Sequence, residues 1–364
     1  MKIIQLIYSL RSGGAEKFVV NLSNQLATEG HDVTICMLLD ETNPNWIFNK
    51  QFIHPKVKLK SFGFSEGFSL KKMTTICKYL KLNSPDIVHC HLNVIPYIFP
   101  LAFSNKKITF IHTIHNIAEK ASGLRIQRNI NRFFYKTNRI IPITISKECK
   151  QSFENYYDLP NTVRIDNGCP AIKPSKYFTD VQNEIQKFKH TKNTKIFIHI
   201  ARCHPAKNQE LLINAFNKLY ADNVDFSLII VGAGYNSKEG IKLQQIANPH
   251  IYFLGEKNNV GDYLLCADAF CLSSIYEGLP ISLIEAMSCG VTPICTAVGG
   301  IPDVITDKKH GYLSYGFSTD NYCTAIKQYL ANPINKHLLS EYFNSNFSIE
   351  VCATQYVKVF NKQK

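Results

Sequence analysis

Short runs of apolar residues alternate with longer stretches in which apolar residues recur every three or four positions. The run Lys2–Leu10 predicts a buried strand, Glu16–Glu29 has the spacing of an amphipathic helix that ends at Gly30, and His31–Leu39 predicts a second strand. Repetition of this strand–helix–strand unit is typical of a parallel sheet covered by helices on both faces. Further strands in this half are predicted at Asp86–His91, Ile108–His115 and Arg139–Ile145.

The alternation breaks around Asn167–Lys195, where prolines and a polar, lysine-rich stretch predict a linker. A chain of 364 residues favours two domains at roughly 100 to 200 residues each. We therefore expect a second doubly wound unit after the linker, followed by a terminal helix near Ser348–Lys364. Its predicted strands are Lys195–Ala201, Phe226–Val231, Ile251–Leu254, Ala269–Leu272 and Thr292–Thr296, and its predicted helices include Asn208–Tyr220 and Ile281–Cys289.

The segment Glu277–Gly300, EGLPISLIEAMSCGVTPICTAVGG, contains two glutamates eight residues apart. Between them, Leu279–Ser282 leads into a predicted helix, whose first amides favour an anion such as phosphate. Carboxylates on either side, Glu277 and Glu285, suit the sugar and ribose hydroxyls that flank the diphosphate of a sugar nucleotide. The alternative is an acidic turn that stabilises the helix dipole. The apolar run around Glu285 also predicts a buried carboxylate that needs a partner.

The segment HIARCHPAKNQELLINAF, residues 199–216, carries two cations between a predicted strand and a predicted helix. Arg202 and Lys207 converge there on a helix N-terminus, an arrangement that suits a diphosphate. Two chance basic residues in a surface loop are the alternative. Ligands of open parallel sheets bind beyond the carboxyl ends of the strands, which favours the first interpretation.

Candidate chemistry in the first half consists of a glycine pair and four histidines. Gly13 and Gly14 lie between the first strand and the first helix, where glycine lets backbone approach a phosphate or simply forms a tight turn. The histidines at strand ends are either metal ligands or structural groups, and neither acidic nor cysteine ligands accompany them at metal-site spacing. They are His89, His91, His112 and His115. The chain also has no Asp-x-Asp sequence that would hold a diphosphate through a metal ion.

Together these motifs resemble those of the retaining glycosyltransferases of family 4, which have the GT-B fold. Glu277–Glu285 matches the family's E-x7-E motif, and Arg202 with Lys207 matches its G-R-x4-K motif, although Ala201 replaces the usual glycine. The resemblance implies that Glu277 contacts the donor sugar, that Glu285 holds the ribose, and that the two cations neutralise the leaving diphosphate without a metal ion.

The resemblance also implies an α/β architecture of two Rossmann-like domains that face each other across a cleft. Residues 1–170 would bind the acceptor and 171–347 the nucleotide sugar, while the terminal helix would cross back onto the first domain. His115 would belong to the catalytic set with Arg202, Lys207 and Glu277, and His89 and His91 would shape the cleft. Donor-binding residues would be Gly13, Gly14, Arg202, Lys207, Gly232, Glu277, Gly278, Leu279, Pro280, Ile281, Ser282 and Glu285.

Charge is unequally distributed: residues 1–170 hold 22 basic and 12 acidic residues, so they carry about +10 of the net +13. Four cations in the first half recur at helical spacing beside apolar residues, and they predict a helix that lies on an anionic membrane surface. The alternative is a surface helix that docks its apolar side on the core. The cations are Arg125, Arg128, Arg132 and Lys136, and the apolar residues are Ile126, Ile130, Phe133 and Phe134.

Other sequence features narrow the class of protein. The twelve cysteines are scattered singly, which is typical of reduced cytosolic thiols, and neither a signal peptide nor a membrane span is predicted. We therefore expect a cytoplasmic or peripheral enzyme that uses a UDP- or GDP-linked sugar and no other cofactor. The acceptor would be a saccharide or a polyprenyl-diphosphate-linked saccharide of surface polysaccharide synthesis, such as capsule or lipopolysaccharide. A nucleotide-sugar epimerase and a nucleic-acid-binding protein remain the alternatives.

Overall fold

The computed structural model describes residues 1–121, 125–160 and 162–362, and the chain divides into two compact units. The first comprises Met1–Cys169 and Ile349–Lys364, and the second comprises Pro170–Ser348. Residues 363 and 364, at the end of the expected terminal helix, lie outside the described residues.

Within the described residues, the first unit contains a parallel sheet of seven strands with helices between them. The strands are β1 (Lys2–Ile7), β2 (Asp32–Leu39), β3 (Lys58–Phe64), β4 (Ile87–His91), β5 (Thr109–Ile114), β6 (Ile141–Thr144) and β7 (Val163–Arg164). The helices are α1 (Gly14–Thr28), α2 (Leu70–Asn83), α3 (Phe99–Ser104), α4 (Ala118–Ala121), α5 (Arg125–Lys136) and α6 (Lys147–Tyr157).

The first sheet has the strand order β3-β2-β1-β4-β5-β6-β7, so the order reverses beside β1. In the register of this sheet Ile3 lies opposite both Val33 and Ile87. Because helices cover both faces of such a sheet, its central strands β1 and β4 are almost entirely buried and mostly apolar. Gln5 is the fully buried polar residue of β1, and it requires a polar partner inside the unit.

The second unit contains a parallel sheet with the order β10-β9-β8-β11-β12-β13. Its strands are β8 (Lys195–Ile200), β9 (Phe226–Val231), β10 (Ile251–Gly255), β11 (Ala269–Leu272), β12 (Thr292–Thr296) and β13 (Tyr312–Ser314). Its helices are α7 (Phe178–Gln186), α8 (Gln209–Ala221), α9 (Lys238–Gln245), α10 (Val260–Leu265), α11 (Ile281–Ser288), α12 (Ile301–Val304), α13 (Thr319–Ala331) and α14 (Lys336–Asn346). The last helix, α15 (Ile349–Asn361), returns to the first unit.

The two parallel α/β sheets confirm the predicted fold class. The expected strands are present within a few residues of their predicted ends, whereas β3, β7 and β13 were not predicted. β3 lies at a sheet edge and alternates exposed with half-buried positions, so it lacks the continuous apolar run of a central strand. β7 and β13 contain two and three residues, too few to show a period.

The segment expected to be a linker is instead largely part of the second unit. It includes α7, which buries Val181 and Ile185. The carboxylate of Asp262, in α10, accepts hydrogen bonds from the backbone N–H of Ser175 at 2.8 Å and from its hydroxyl at 2.5 Å. These bonds attach the segment to the unit, and sequence composition alone does not show them.

A glycine turn after β12 approaches the backbone that follows β11. Gly299 has a φ of +60°, and a Cβ there would overlap the carbonyl oxygen of Glu277. The next residue, Gly300, donates its N–H to the carbonyl of Gly278 at 2.6 Å. The turn therefore fixes the backbone at Glu277 and Gly278, and it leaves no room for a side chain.

We expect Gly299→Ala to destabilise the protein more than Gly255→Ala. Gly255 has a similar φ of +68° but nothing within 4 Å of a built Cβ, so its substitution costs only the left-handed backbone, about 1–2 kcal/mol. At Gly299 the overlap with backbone adds about 1–3 kcal/mol. Urea unfolding of both variants measures the difference, and equal free energies of unfolding would contradict the close approach.

Candidate active site

The candidate site lies where the loops after β8 and β11 meet. These strands are parallel neighbours, so their carboxyl ends share one edge of the sheet. The hydroxyl of Ser273 donates to the carbonyls of Lys207 and Asn208, each at 2.9 Å. Ile275 N–H also donates to the Ala206 carbonyl at 2.8 Å. The two loops therefore form one rigid surface.

Lys207 and Glu277 form an ion pair on this surface. The ammonium Nζ of Lys207 lies 2.5 Å from Oε1 of Glu277, and both side chains are mostly buried. The hydroxyl of Ser274 donates to the same oxygen at 2.6 Å, and Ser274 itself is fully buried. Both bonds use Oε1 and neither uses Oε2. Two of the residues predicted from the sequence are thus brought together.

Helix α11 begins beside this ion pair. Its N-cap residue is Pro280, whose ring has no group that could cap the first amides of the helix. Glu285 lies in the second turn and is buried, as its apolar surroundings predicted. Leu279 and Ile281 are also buried, whereas Ser282 is half-buried. The first amides of α11 therefore have no side-chain cap, and a helix start of this kind suits an anion.

Arg202 follows β8 and its side chain is exposed. Its backbone carbonyl accepts a hydrogen bond at 2.9 Å from the buried side chain of Gln209. The hydroxyl of Tyr235 donates to the Ala201 carbonyl at 3.0 Å. A Cβ at Gly232 would overlap that same carbonyl, and this explains a glycine at the position. The turn that carries Arg202 is therefore fixed by contacts to its backbone.

Some residues that position the site were not identified from the sequence. Ser273 joins the two loops through hydrogen bonds to residues 65 and 66 positions away, whereas Ser274 and Gln209 bond to Glu277 and to the Arg202 carbonyl within their own loops. A weak signal was present, because two serines directly follow the apolar strand β11 at a predicted ligand-binding edge. Gly299 belongs to the segment Glu277–Gly300, but its contact with the Glu277 backbone depends on the fold and was not predicted.

The glycine pair of the first unit begins helix α1. Gly13 is the N-cap residue in an extended conformation, and Gly14 is the first helical residue. The carboxylate of Glu16 occupies the space that a Cβ at Gly13 would need. Glu16 is buried near the helix N-terminus, where its negative charge is favoured by the helix dipole.

His115 follows β5 and is half-buried, and its Nε2 lies 3.0 Å from Nδ1 of His91. Burial, together with a smaller effect of neighbouring His112, lowers the pKa of His115 to about 3. His89, His91 and His112 are buried. No group of three or more His, Cys, Asp or Glu side chains in the described part of the chain is arranged to hold a metal ion.

The four cations predicted to lie along one face of α5 have two different environments. Arg128 donates to the carbonyl of Tyr156 and stacks on its ring, and Arg132 donates to the carbonyl of Tyr157 at 2.5 Å. These two guanidinium groups therefore bind the last carbonyls of α6, where positive charge is favourable. Arg125 and Lys136 are exposed.

The apolar residues of α5 are divided as well. Phe134 is buried, whereas Ile126, Ile130 and Phe133 are exposed by 73%, 40% and 49%. The alternative of an apolar side docked on the core thus holds for part of the helix only. In the described residues, no helix combines the length and the hydropathy needed to cross a membrane. All twelve cysteines lie in the described ranges and are free thiols.

Both halves of the chain match known families. Residues 12–171 match the family described as Glycosyltransferase Family 4, and residues 180–345 match Glycosyl transferases group 1. N-acetyl-alpha-D-glucosaminyl L-malate synthase of Bacillus anthracis is 26% identical over 83% of this chain and 80% of its own length. UDP-Gal:alpha-D-GlcNAc-diphosphoundecaprenol alpha-1,3-galactosyltransferase of Escherichia coli is 25% identical over 71% of this chain and 69% of its own length.

Solved structures share the fold at low identity. A glycosyltransferase from Rickettsia africae superimposes with a TM-score of 0.80 and 17% identity, covering 100% of this chain and 98% of its own. HepE of Anabaena, solved in complex with UDP, also gives 0.80 and 17%, with both chains fully covered. The family matches, the two parallel sheets and these neighbours lead to one conclusion. The chain belongs to glycosyltransferase family 4, and it is a retaining glycosyltransferase with the GT-B fold that uses a nucleotide sugar.

Proposed function

We propose that the protein transfers a hexosyl or N-acetylhexosaminyl group from a UDP- or GDP-linked sugar to a saccharide or lipid-linked saccharide of cell-surface polysaccharide synthesis. The observation that most directly supports this proposal is the Lys207–Glu277 ion pair close to the start of α11. Two relatives support the substrate classes: the Escherichia coli enzyme is named for UDP-Gal and a diphosphoundecaprenol acceptor, and HepE has been solved with UDP-glucose.

The donor is assigned to the second unit. Departure of the nucleoside diphosphate concentrates negative charge on its oxygens, so fixed cations and amides at that point lower the barrier. Lys207, Arg202 and the first amides of α11 supply this positive potential. Gly232 and the residues Gly278–Ser282 provide close backbone approach along the donor.

The two glutamates take the hydroxyl groups on either side of the diphosphate. Glu277 is held through Oε1 by Lys207 and Ser274, and Oε2 accepts from hydroxyls of the transferred sugar. Glu285 accepts from the ribose. An acceptor hydroxyl attacks from the face that the diphosphate leaves, and a diphosphate oxygen takes its proton, so the anomeric configuration is retained. For the first unit we assign acceptor binding, with roles in transfer for His115 and the Gly13–Gly14 turn.

The exposed face of α5 is assigned to an anionic membrane surface. Ile126, Ile130 and Phe133 recur at helical spacing and are exposed, and Arg125 and Lys136 border them. Apolar side chains enter the acyl boundary, while each nearby cation adds about 1 kcal/mol at an anionic leaflet. A lipid-linked acceptor on the inner face of the cytoplasmic membrane would meet the enzyme there.

Replacing Lys207 with methionine should lower turnover on the order of 10²- to 10³-fold, because the charge that faces the leaving diphosphate is lost. The assay is release of nucleoside diphosphate from a panel of UDP- and GDP-linked sugars, with and without saccharide acceptors. Lys218→Met is the matched control, since Lys218 is also ion-paired at 2.5 Å, to exposed Asp320. Undiminished turnover in Lys207→Met with an intact fold would refute the assignment.

We expect turnover to persist in EDTA. If Arg202 and Lys207 stabilise the leaving diphosphate, chelation of divalent cations changes the rate by less than about twofold, whereas loss of a metal that carried this charge would cost several kcal/mol of transition-state stabilisation. The measurement compares initial rates with EDTA and with added Mg²⁺ or Mn²⁺. A rate that collapses in EDTA and recovers with metal would show that the two cations are insufficient.

Vesicles that contain anionic phosphatidylglycerol should sediment the protein, and vesicles of phosphatidylcholine alone should not. The double variant Ile126→Ser with Phe133→Ser should bind several-fold more weakly, because two apolar side chains no longer enter the membrane. Leu82→Ser is the control, as Leu82 is 85% exposed at the end of α2 in the same unit. Failure of anionic vesicles to sediment the wild-type protein would refute the membrane assignment.

A further inference from the structure

A chain of hydrogen-bonded side chains crosses three neighbouring strands of the first unit. Gln5 of β1, His91 of β4 and His115 after β5 form it, and the first two are fully buried. Oε1 of Gln5 lies 2.8 Å from Nε2 of His91, and Nδ1 of His91 lies 3.0 Å from Nε2 of His115. We call this chain the relay. Its members are separated by up to 110 residues along the sequence, so only the sheet brings them together.

The relay determines where its protons reside. In the structure the amide of Gln5 presents its oxygen to His91, and because this oxygen only accepts, Nε2 of His91 carries a proton and donates to it. A neutral imidazole has one N–H, which leaves Nδ1 of His91 as an acceptor. Nε2 of His115 must then donate to His91. In neutral His115 the remaining nitrogen, Nδ1, bears a lone pair and lies outside the relay.

We propose that Gln5 and His91 are positioning residues that hold His115 in the Nε2–H tautomer, so that its Nδ1 accepts a hydrogen bond from a hydroxyl of the sugar substrate. This inference rests on the proposed function for its last step. The relay itself is a property of the first unit, and it is testable without a substrate. In this arrangement the hydrogen bond at one imidazole nitrogen selects the proton state of the other.

The surroundings keep the imidazoles neutral. Burial lowers the pKa of His91 well below its usual value, and nearby His89, His115 and His112 add to this effect. Burial likewise lowers the pKa of His115 to about 3. A second proton on His91 would remove the acceptor that the relay needs, and a second proton on His115 would remove the nitrogen that is proposed to accept from the substrate. Neutral rings are therefore the state in which one proton can be shared along each of its hydrogen bonds.

Packing also orients the two rings. The ring of Phe18, in α1, lies edge-on to His115 with centroids 5.6 Å apart and to His91 at 6.2 Å. Fully buried Phe18 thus limits rotation of both imidazoles. The relay fixes the tautomer, while Phe18 restricts the ring plane.

His89 offers a matched control on the same strand. It is also fully buried, its ring lies 4.0 Å from that of His91, and its Nε2 lies 2.7 Å from the hydroxyl of Thr113. The Thr113 hydroxyl is in turn hydrogen-bonded to the hydroxyl of Tyr356, in α15, at 2.8 Å. This branch does not pass through His115, so its loss perturbs packing near the relay and leaves the relay intact.

The test is the tautomer of His115 in the full-length protein labelled with ¹⁵N-histidine. Long-range proton–nitrogen spectra near neutral pH distinguish Nε2–H from Nδ1–H, and His115→Gln assigns the signal by its disappearance. We expect Nε2–H in the wild-type protein and in His89→Phe. Gln5→Met and His91→Phe remove the constraint, so both tautomers should appear.

A wild-type His115 that carries its proton on Nδ1 would overturn the proposal, and this result needs no variant of Gln5 or His91. An unchanged tautomer in folded Gln5→Met and His91→Phe would overturn it as well. For the catalytic step, kcat of Gln5→Met should fall between about 10- and 100-fold, with the donor KM changed less than about twofold.

The proposed function and the positioning role of the relay can be refuted separately. Absence of turnover on every nucleotide sugar would count against the proposed function, while the tautomer would still report on the relay. The expected tautomer together with an unchanged kcat in Gln5→Met would overturn the positioning role and leave the proposed function standing.

Discussion

The second unit depends on one electrostatic constraint: a carboxylate and an ammonium are withdrawn from water at the end of a parallel sheet. Each charge needs a partner there, and Lys207 and Glu277 satisfy one another at 2.5 Å. Pairing alone does not fix the site, because both side chains are long. Ser274 holds the carboxylate, and Ser273 holds the backbone of Lys207. Adjacent residues after β11 thereby position both charged groups.

Close backbone approach is the second requirement of this surface. Loops from β8, β9, β11 and β12 converge at one sheet edge, and their carbonyls pass where side chains would otherwise lie. Gly232 lies against Ala201, and Gly299 lies against Glu277. A methyl group at either glycine must displace backbone, which moves Arg202 or Glu277 with it. The glycines therefore act on the charged groups through the loops that carry them.

Sequence reasoning succeeded where structure depends on residues close together along the chain. The start of α11 and the burial of Glu285 followed from the local sequence, and the apolar runs located the central strands. It failed where the environment of a residue depends on contacts with segments distant along the chain. Arg128 and Arg132 share helical spacing with Arg125, yet only the position of the α6 carbonyls determines that they turn inward. Likewise, the polar composition around residue 178 predicted a linker, whereas hydrogen bonds from Ser175 to Asp262 attach this segment to α10.

The polar groups of the two units are organised by opposite electrostatic rules. In the second unit, Lys207 and Glu277 are charged and border solvent, which suits a diphosphate whose charge grows as it leaves. In the first, burial keeps the imidazoles of His91 and His115 neutral by lowering their pKa values, and the amide of Gln5 carries no charge. A neutral acceptor aligns a hydroxyl without attracting the anionic leaving group or repelling developing positive charge on the sugar. Depressed histidine pKa values are thus consistent with a group that directs hydrogen bonds, and they argue against His115 as a proton donor at neutral pH.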